Sequence, residues 1–154
     1  MHEFEDLNYK FSIVKTGDKP QDLHDQFIIE MSGIDDVLIE HYLSLKYEKT
    51  NYFILSQDNL KIGYGNAVEE NGFLTIYEIF ILSKYRELGF GTKIFNEIKN
   101  YSNSINLKIR SVTLPSDRTG KNFYESNLIT ARALIMEEKR ENSRYRPWWN
   151  SIFR

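Results

Sequence analysis

Hydrophobic positions along the chain change their period several times, and each change marks an element. Residues 9–15 alternate as a first strand. Thr16-Gly17-Asp18-Lys19-Pro20 then turns into a helix beginning near Gln21, with Leu23, Phe27 and Met31 spaced along one face. Ser32-Gly33 interrupts that spacing, so a second helix is expected over residues 35–47, carrying Leu38, Tyr42 and Leu45. From Asn51 the period drops to two. Strands at 52–56 and 60–68 flank a Gln57-Asp58-Asn59 turn, and Glu70-Asn71-Gly72 leads into a strand over 73–82, which makes an antiparallel meander. Gly91, Ile94, Phe95, Ile98 and Tyr101 then mark one face of a helix. A strand at 107–114 ending at Pro115, a helix at 117–127 and a strand at 131–138 follow. The order is mixed α and β without βαβ repetition, and no repeat or linker divides the chain, so residues 1–154 read as one domain.

Length agrees, since 154 residues can bury roughly two thirds of their unfolded surface in one core. The formal charge of −2 supplies no global attraction for nucleic acid or an anionic membrane, so neither is favoured as a partner. Cysteine is absent, which excludes disulfides, zinc-thiolate sites and thiol nucleophiles. The acidic start, Met1-His2-Glu3-Phe4-Glu5-Asp6, lacks the features of a signal peptide, and no apolar run reaches membrane-spanning length. A cytoplasmic location is expected. Residues 140–154 differ in composition, with Arg140, Arg144, Arg146 and Arg154 among Tyr145, Trp148, Trp149 and Phe153. They read either as a nucleic-acid or nucleotide contact, or as a last strand or arm packed on the sheet or on a second subunit of a homodimer.

The chemistry-bearing segment is Arg86-Glu87-Leu88-Gly89-Phe90-Gly91, between a predicted strand and a predicted helix. Backbone N–H groups at a helix start have no intrahelical partners and converge on one spot, which attracts phosphate. Gly89 and Gly91 allow close approach of an anion and the backbone angles of an anion-binding nest. Arg86 adds either a fixed charge or a loop-stabilising hydrogen bond. A nucleotide-triphosphate loop would need Lys-Ser/Thr after the glycine, and a dinucleotide fingerprint would need a third glycine where Ile94 stands. Gly63-Tyr64-Gly65 lies inside a strand and reads as close backbone packing.

Tyr77-Glu78-Ile79-Phe80-Ile81-Leu82-Ser83-Lys84-Tyr85-Arg86-Glu87-Leu88-Gly89-Phe90-Gly91-Thr92, followed by Asn122-Phe123-Tyr124 on the last helix, resembles the core motif of the GNAT superfamily of acyl-CoA-dependent N-acyltransferases. The resemblance spans about half the chain. It implies an α+β fold: a twisted, mostly antiparallel sheet flanked by helices on both faces and splayed after its fourth strand. It also implies acetyl-CoA as co-substrate. Backbone groups of Ile79, Phe80 and Ile81 would hold the pantetheine and acyl carbonyl. N–H groups of Glu87, Leu88, Gly89, Phe90, Gly91 and Thr92 would hold the pyrophosphate. Asp117, where many members carry Asn, is counted with the cofactor-binding residues, and Asn127-Leu128-Ile129 replaces the usual Asn-Gly-Phe turn.

Acyl transfer to an amine needs a base for the amine, stabilisation of an oxyanion and a proton for the departing thiolate. Glu78 is the candidate base, against a sheet-surface glutamate in a cross-strand pair. Tyr124 is the candidate acid, against a simple core aromatic. A backbone N–H near Ile81 would face the oxyanion. Glu30, Asp35, Asp36 and Glu40 along the helical arm either form a solvated acidic face or attract a cationic amine. His2, His24 and His41 are scattered and read as surface residues, and no metal site is implied. The expected activity is N-acetylation of a primary amine, small-molecule or peptide, by direct attack. The alternatives are a non-catalytic CoA- or partner-binding module and an acyltransferase for a nucleic-acid-borne amine.

Overall fold

Three two-residue turns set the architecture. At Leu7-Asn8, Asp58-Asn59 and Asn71-Gly72 both central residues take positive φ, as type I′ turns require, and the twist of such turns matches that of the strands they join. They connect β1 (His2–Asp6) to β2 (Tyr9–Thr16), β3 (Thr50–Gln57) to β4 (Leu60–Glu70), and β4 to β5 (Phe73–Ile81). With β6 (Lys108–Ser111) they form one sheet in the order β1-β2-β3-β4-β5-β6, antiparallel except for the parallel β5–β6 pair. This computed structural model describes residues 1–36, 39–45, 49–136 and 138. Leu38, Tyr47 and the whole Arg/Trp segment at 140–154 lie outside the described residues. No helix among the described residues is long and apolar enough to cross a membrane.

The helices cover both faces. On one lie α1 (Gln21–Ile34) and α2 (Glu40–Ser44), whose Leu23, Phe27, Met31 and Tyr42 pack with Tyr52, Ile54, Tyr64 and Phe80 of the sheet. On the other, α3 (Phe90–Ser104) and α4 (Arg118–Ser126) bury Ile94, Phe95, Ile98 and Tyr124 against Phe53, Leu55, Ile62 and Leu74. Gly63 and Gly65 serve close packing as expected. A Cβ on Gly65 would stand 2.7 Å from Ile94 Cγ2, and one on Gly63 would stand 2.8 Å from the Phe80 carbonyl oxygen.

Four expectations are corrected. β1 precedes the first expected strand; its signal is weak because Phe4 is its only apolar residue, stacked on Phe11 with ring centroids 5.2 Å apart. α1 runs through Ser32-Gly33, because the Ser32 hydroxyl bonds the Ile28 carbonyl and Asp35 N–H reaches Met31 O. The buried Leu23–Phe27–Met31 stripe outweighs the roughly 1 kcal/mol glycine penalty. α2 is far shorter than the expected 35–47 helix. Residues 131–136 form no strand, having no ladder partner among the described residues, and Leu134, Ile135 and Met136 are exposed.

Two irregularities in β5 create the site. Gly65 pairs with Ile79 and Ala67 with Ile76, so Tyr77 and Glu78 together oppose Asn66. This bulge resets the alternation of the strand. Leu74 and Ile76 face the α3 side, and so do Ile79 and Ile81, while Glu78 and Phe80 turn toward α1. The second irregularity is divergence: β6 pairs with β5 only from Phe73 to Ile76, yet β5 continues to Ile81. The sheet is therefore splayed beyond this point.

Candidate active site

Backbone direction alternates along a strand, and Leu82 N–H donates to Ile62 O on β4. Phe80 therefore also addresses β4, and Ile79 and Ile81 point their N–H groups into the gap on the side of β6. The Ile81 carbonyl there accepts from Arg86 Nε at 2.8 Å. Where the gap opens, a 3₁₀ turn at Ser83–Tyr85 leads into the glycine loop and then α3.

Glu87 and Gly89 both adopt left-handed backbone, with φ of 63° and 80°. This folds the loop so that none of the N–H groups from Glu87 to Thr92 donates a hydrogen bond to any group among the described residues. Six amides at the start of a fifteen-residue helix are left for an anion, and the helix dipole favours negative charge there. Phe90 anchors the helix start in the core, its ring 4.8 Å from that of Phe11. Gly91 has a different task from Gly89. A Cβ on it would meet the Phe123 ring at 3.1 Å, so its small size lets α4 close on the helix start.

Of the two readings of Arg86, the structure shows the loop-stabilising one. Its guanidinium grips Glu30 on α1 through bonds of 2.6 and 2.7 Å while Nε holds Ile81 O, tying α1, the loop and the end of β5 together. The hydrogen bonds it donates to Glu30 raise the Arg86 pKa further. Asp117 caps α4, its Oδ1 accepting from Gly120 N–H at 2.9 Å.

Glu78 is no surface glutamate. It is 4% exposed, and its Oε2 accepts from the Tyr64 hydroxyl at 2.9 Å and from Asn66 Nδ2 at 3.1 Å. Asn66 Oδ1 in turn accepts the two bulge amides, Tyr77 N–H at 3.2 Å and Glu78 N–H at 2.9 Å. Burial, followed by the Glu78 charge and its hydrogen bond, pushes the Tyr64 phenol well above its ordinary value and keeps it a donor. Oε1 accepts no hydrogen bond among the described residues.

His24, which the sequence reads as a surface residue, lies instead in the lining of the cleft beside Glu78. Its side chain is only 12% exposed, with Nδ1 3.3 Å from Glu78 Oε2 and 3.2 Å from the Tyr64 oxygen. Nδ1 of His24 is thus within hydrogen-bond distance of both the Tyr64 hydroxyl and the Glu78 carboxylate. The available signal was its place one residue after Leu23 and four before Ile28, on a stripe flanking the core face of α1. His2 is half exposed beside Glu97, as a surface residue should be, and the His41 side chain lies outside the described residues.

Tyr124 sits in the α3-side core, on the opposite face of the sheet from Glu78. Burial first, then Tyr42, Asp117 and Glu78, hold its phenol well above the ordinary tyrosine range, so it stays protonated and lies within reach of those charges. Of the four acidic residues of the helical arm, Glu30 is paired with Arg86, Asp35 is buried, and Asp36 and Glu40 are exposed. Among the described residues no group of three or more His, Asp or Glu could hold a metal ion.

Beside Glu78 opens a cleft of about 530 Å³ between α1, α2 and the sheet, lined also by His24, Tyr42, Tyr52 and Asn66. The site thus joins an anion cradle at a helix start, a gap with two outward-pointing strand amides, and a carboxylate at a cleft.

No curated protein matches the chain. Solved structures share its fold at low identity. A Pyrococcus furiosus protein proposed as an acetyltransferase has a TM-score of 0.67 at 18% identity, over 84% of this chain and 99% of that one. The aminoglycoside N-acetyltransferase AAC(6')-Iy in complex with CoA has a TM-score of 0.58 at 12% identity, over 86% of this chain and 96% of that one. An aminoglycoside acetyltransferase from an uncultured soil metagenomic sample, in complex with sisomicin, has a TM-score of 0.56 at 14% identity, over 84% and 95%. The family model of the GNAT acetyltransferase domain matches residues 32–127, which contain β5, the glycine loop, α3 and α4. The chain therefore belongs to the GNAT family, the acyl-CoA-dependent N-acetyltransferases.

Proposed function

We propose that this chain moves the acetyl group of acetyl-CoA to a primary amine of a small molecule by direct attack. The observation that carries the reading is the row of undonated N–H groups from Glu87 to Thr92, set beside the outward-facing amides of Ile79 and Ile81. The loop amides suit a pyrophosphate. The Ile79 groups suit the amides of pantetheine, and Ile81 N–H suits the acyl oxygen, on which negative charge grows as the amine adds. Acetyl-CoA supplies an activated thioester. Solved aminoglycoside acetyltransferases of the same fold support a small-molecule amine as acceptor class.

An alkylammonium must lose a proton before it attacks. Glu78 Oε1, facing the cleft without a hydrogen bond among the described residues, takes it directly or through water, while Tyr64, Asn66 and His24 hold Oε2 in place. As the new C–N bond forms and the C–S bond breaks, Tyr124 offers its proton to the leaving thiolate. Neither side chain becomes covalently attached to the acetyl group.

Calorimetric titration with acetyl-CoA tests the reading. A Cβ at Gly89 meets open space, so Gly89→Glu sets a carboxylate in the cradle without a core clash, at the cost of local strain from its φ of 80°. Wild type should bind saturably and folded Gly89→Glu at least tenfold more weakly. Glu78→Gln and Tyr124→Phe should bind acetyl-CoA normally and lose on the order of 10²-fold in kcat. Absence of binding by the wild type would defeat the proposal.

A further inference from the structure

The lining of the cleft combines polar groups with hydrocarbon. Ile28, Ile29, Tyr42, Leu43, Leu45 and Tyr52 line it from α1, α2, the residue after α2 and β3, leaving Glu78 as its one buried carboxylate. Ile29 is 72% exposed and Leu43 61% exposed, both bordering the opening. Large apolar side chains left uncovered beside a polar floor suit a ligand that is charged at one end and apolar at the other.

Charge counts the same way. Among the described lining residues the carboxylates are Asp25 and Glu78 and the lysine is Lys19, so two negative charges less one positive leave −1, counting His24 as uncharged. That is enough for one ammonium. Asp25 is exposed and already accepts from Gln21 Nε2 at 2.7 Å. None of Glu30, Asp35, Asp36 and Glu40 lines the cleft, and Glu30 is held by Arg86. Among the described lining residues a second ammonium would find only the exposed Asp25, which Lys19 offsets, and a third would find no carboxylate, a costly desolvation.

We propose that the acceptor is a small monoamine with an aryl or alkyl body, and that the site discriminates against polyamines and aminoglycosides. This rests on the acetyltransferase reading above. Each ammonium of a polycation needs its own anion, and this cleft holds one at its floor. The apolar body of a monoamine instead covers Ile28, Tyr52 and, toward the opening, Ile29 and Leu43.

The test measures acetyl-CoA-dependent thiol release by the full chain with 2-phenylethylamine, spermidine, kanamycin and a short lysine-containing peptide, at one ionic strength. The expected kcat/KM for 2-phenylethylamine exceeds each of the others at least tenfold. Leu43→Glu changes an exposed residue of the proposed acceptor wall and adds a carboxylate at the opening. It should shift the ratio at least fivefold toward spermidine. Equal or better use of kanamycin, spermidine or the peptide by the wild type overturns the inference. So does acetyl-CoA binding without turnover of 2-phenylethylamine, or a Leu43→Glu ratio equal to wild type. Failure to bind acetyl-CoA would instead strike the acetyltransferase reading itself.

Discussion

Asn66→Ala probes the device that aims Glu78. The Asn66 side chain, in a residue 1% exposed, fills the β5 bulge: Oδ1 accepts from Tyr77 N–H and Glu78 N–H, and Nδ2 donates to Glu78 Oε2. Truncation leaves two backbone donors and one carboxylate oxygen short of a partner. A buried polar group left unsatisfied costs about 1–3 kcal/mol. Tyr77 is half-buried, so water can replace part of its share. A total of about 2–4 kcal/mol follows, which at a urea m-value of about 2 kcal/mol/M lowers the unfolding midpoint by about 1–2 M. The cradle at α3 is not touched, so acetyl-CoA affinity should hold while kcat falls. Asn66→Asp keeps an acceptor for both bulge amides but sets a second carboxylate against Glu78, so its penalty should shrink in acid as one of the pair protonates. Urea unfolding of Asn66→Ala within about 0.5 kcal/mol of wild type would show that the bulge is held by the strand ladder alone, and the argument would fail.

Two further substitutions test the packing and the electrostatics of the same sheet. Gly65→Ala drives a Cβ to within 2.7 Å of Ile94 Cγ2 and 3.1 Å of Ile98 Cδ1, both fully buried, and should cost about 1–3 kcal/mol in denaturant unfolding. Gly17→Ala meets nothing within 4 Å and should be near neutral; equal effects at the two sites would contradict the packing account. Glu70 is half-buried, and burial alone raises its pKa, but hydrogen bonds from Tyr77, Thr75 and Arg110 outweigh this and hold the carboxyl below its ordinary 4.5. A depressed folded value gives stability that is complete above the unfolded pKa and lost as pH falls through the folded one. Glu70→Gln should therefore be less stable than wild type at pH 7, and the gap should close on acidification below 4.5; a gap unchanged down to pH 2 would count against these hydrogen bonds.

What the sequence made legible follows from how local each signal is. The meander from β3 to β5 was readable because alternation and the Asp58-Asn59 and Asn71-Gly72 turns report the same register from neighbouring residues. Leu7-Asn8 makes the same turn, yet leucine at positive φ is not a turn signal, so β1 went unread. The apolar run at 131–136 looks like a strand to any window, but a strand needs a partner, and pairing is not a property of the run. The glycine loop was legible through its spacing, and the two glycines turn out to have separate duties, Gly89 for backbone angle and Gly91 for the approach of Phe123. Glu78 was found by position, but its surroundings were not. Tyr64 and Asn66 are 14 and 12 residues distant in sequence and His24 is on another element.

The bulge shows why that environment escapes a period-two reading. Counting alternately from Leu74 and Ile76 would place Glu78 on the α3 face, where it would meet the apolar core around Ile94 and Ile98 without a partner. One extra residue in β5 turns it to the α1 face and restores Ile79 and Ile81 to the α3 face. The same step therefore sorts the two halves of the chemistry. Glu78 opens on the cleft beside α1, while the residues just after it face the gap where β5 has left β6 behind. A regular strand would have to choose between burying the carboxylate and misdirecting Ile81. Asn66, whose carbonyl oxygen accepts both bulge amides, lets β5 do neither.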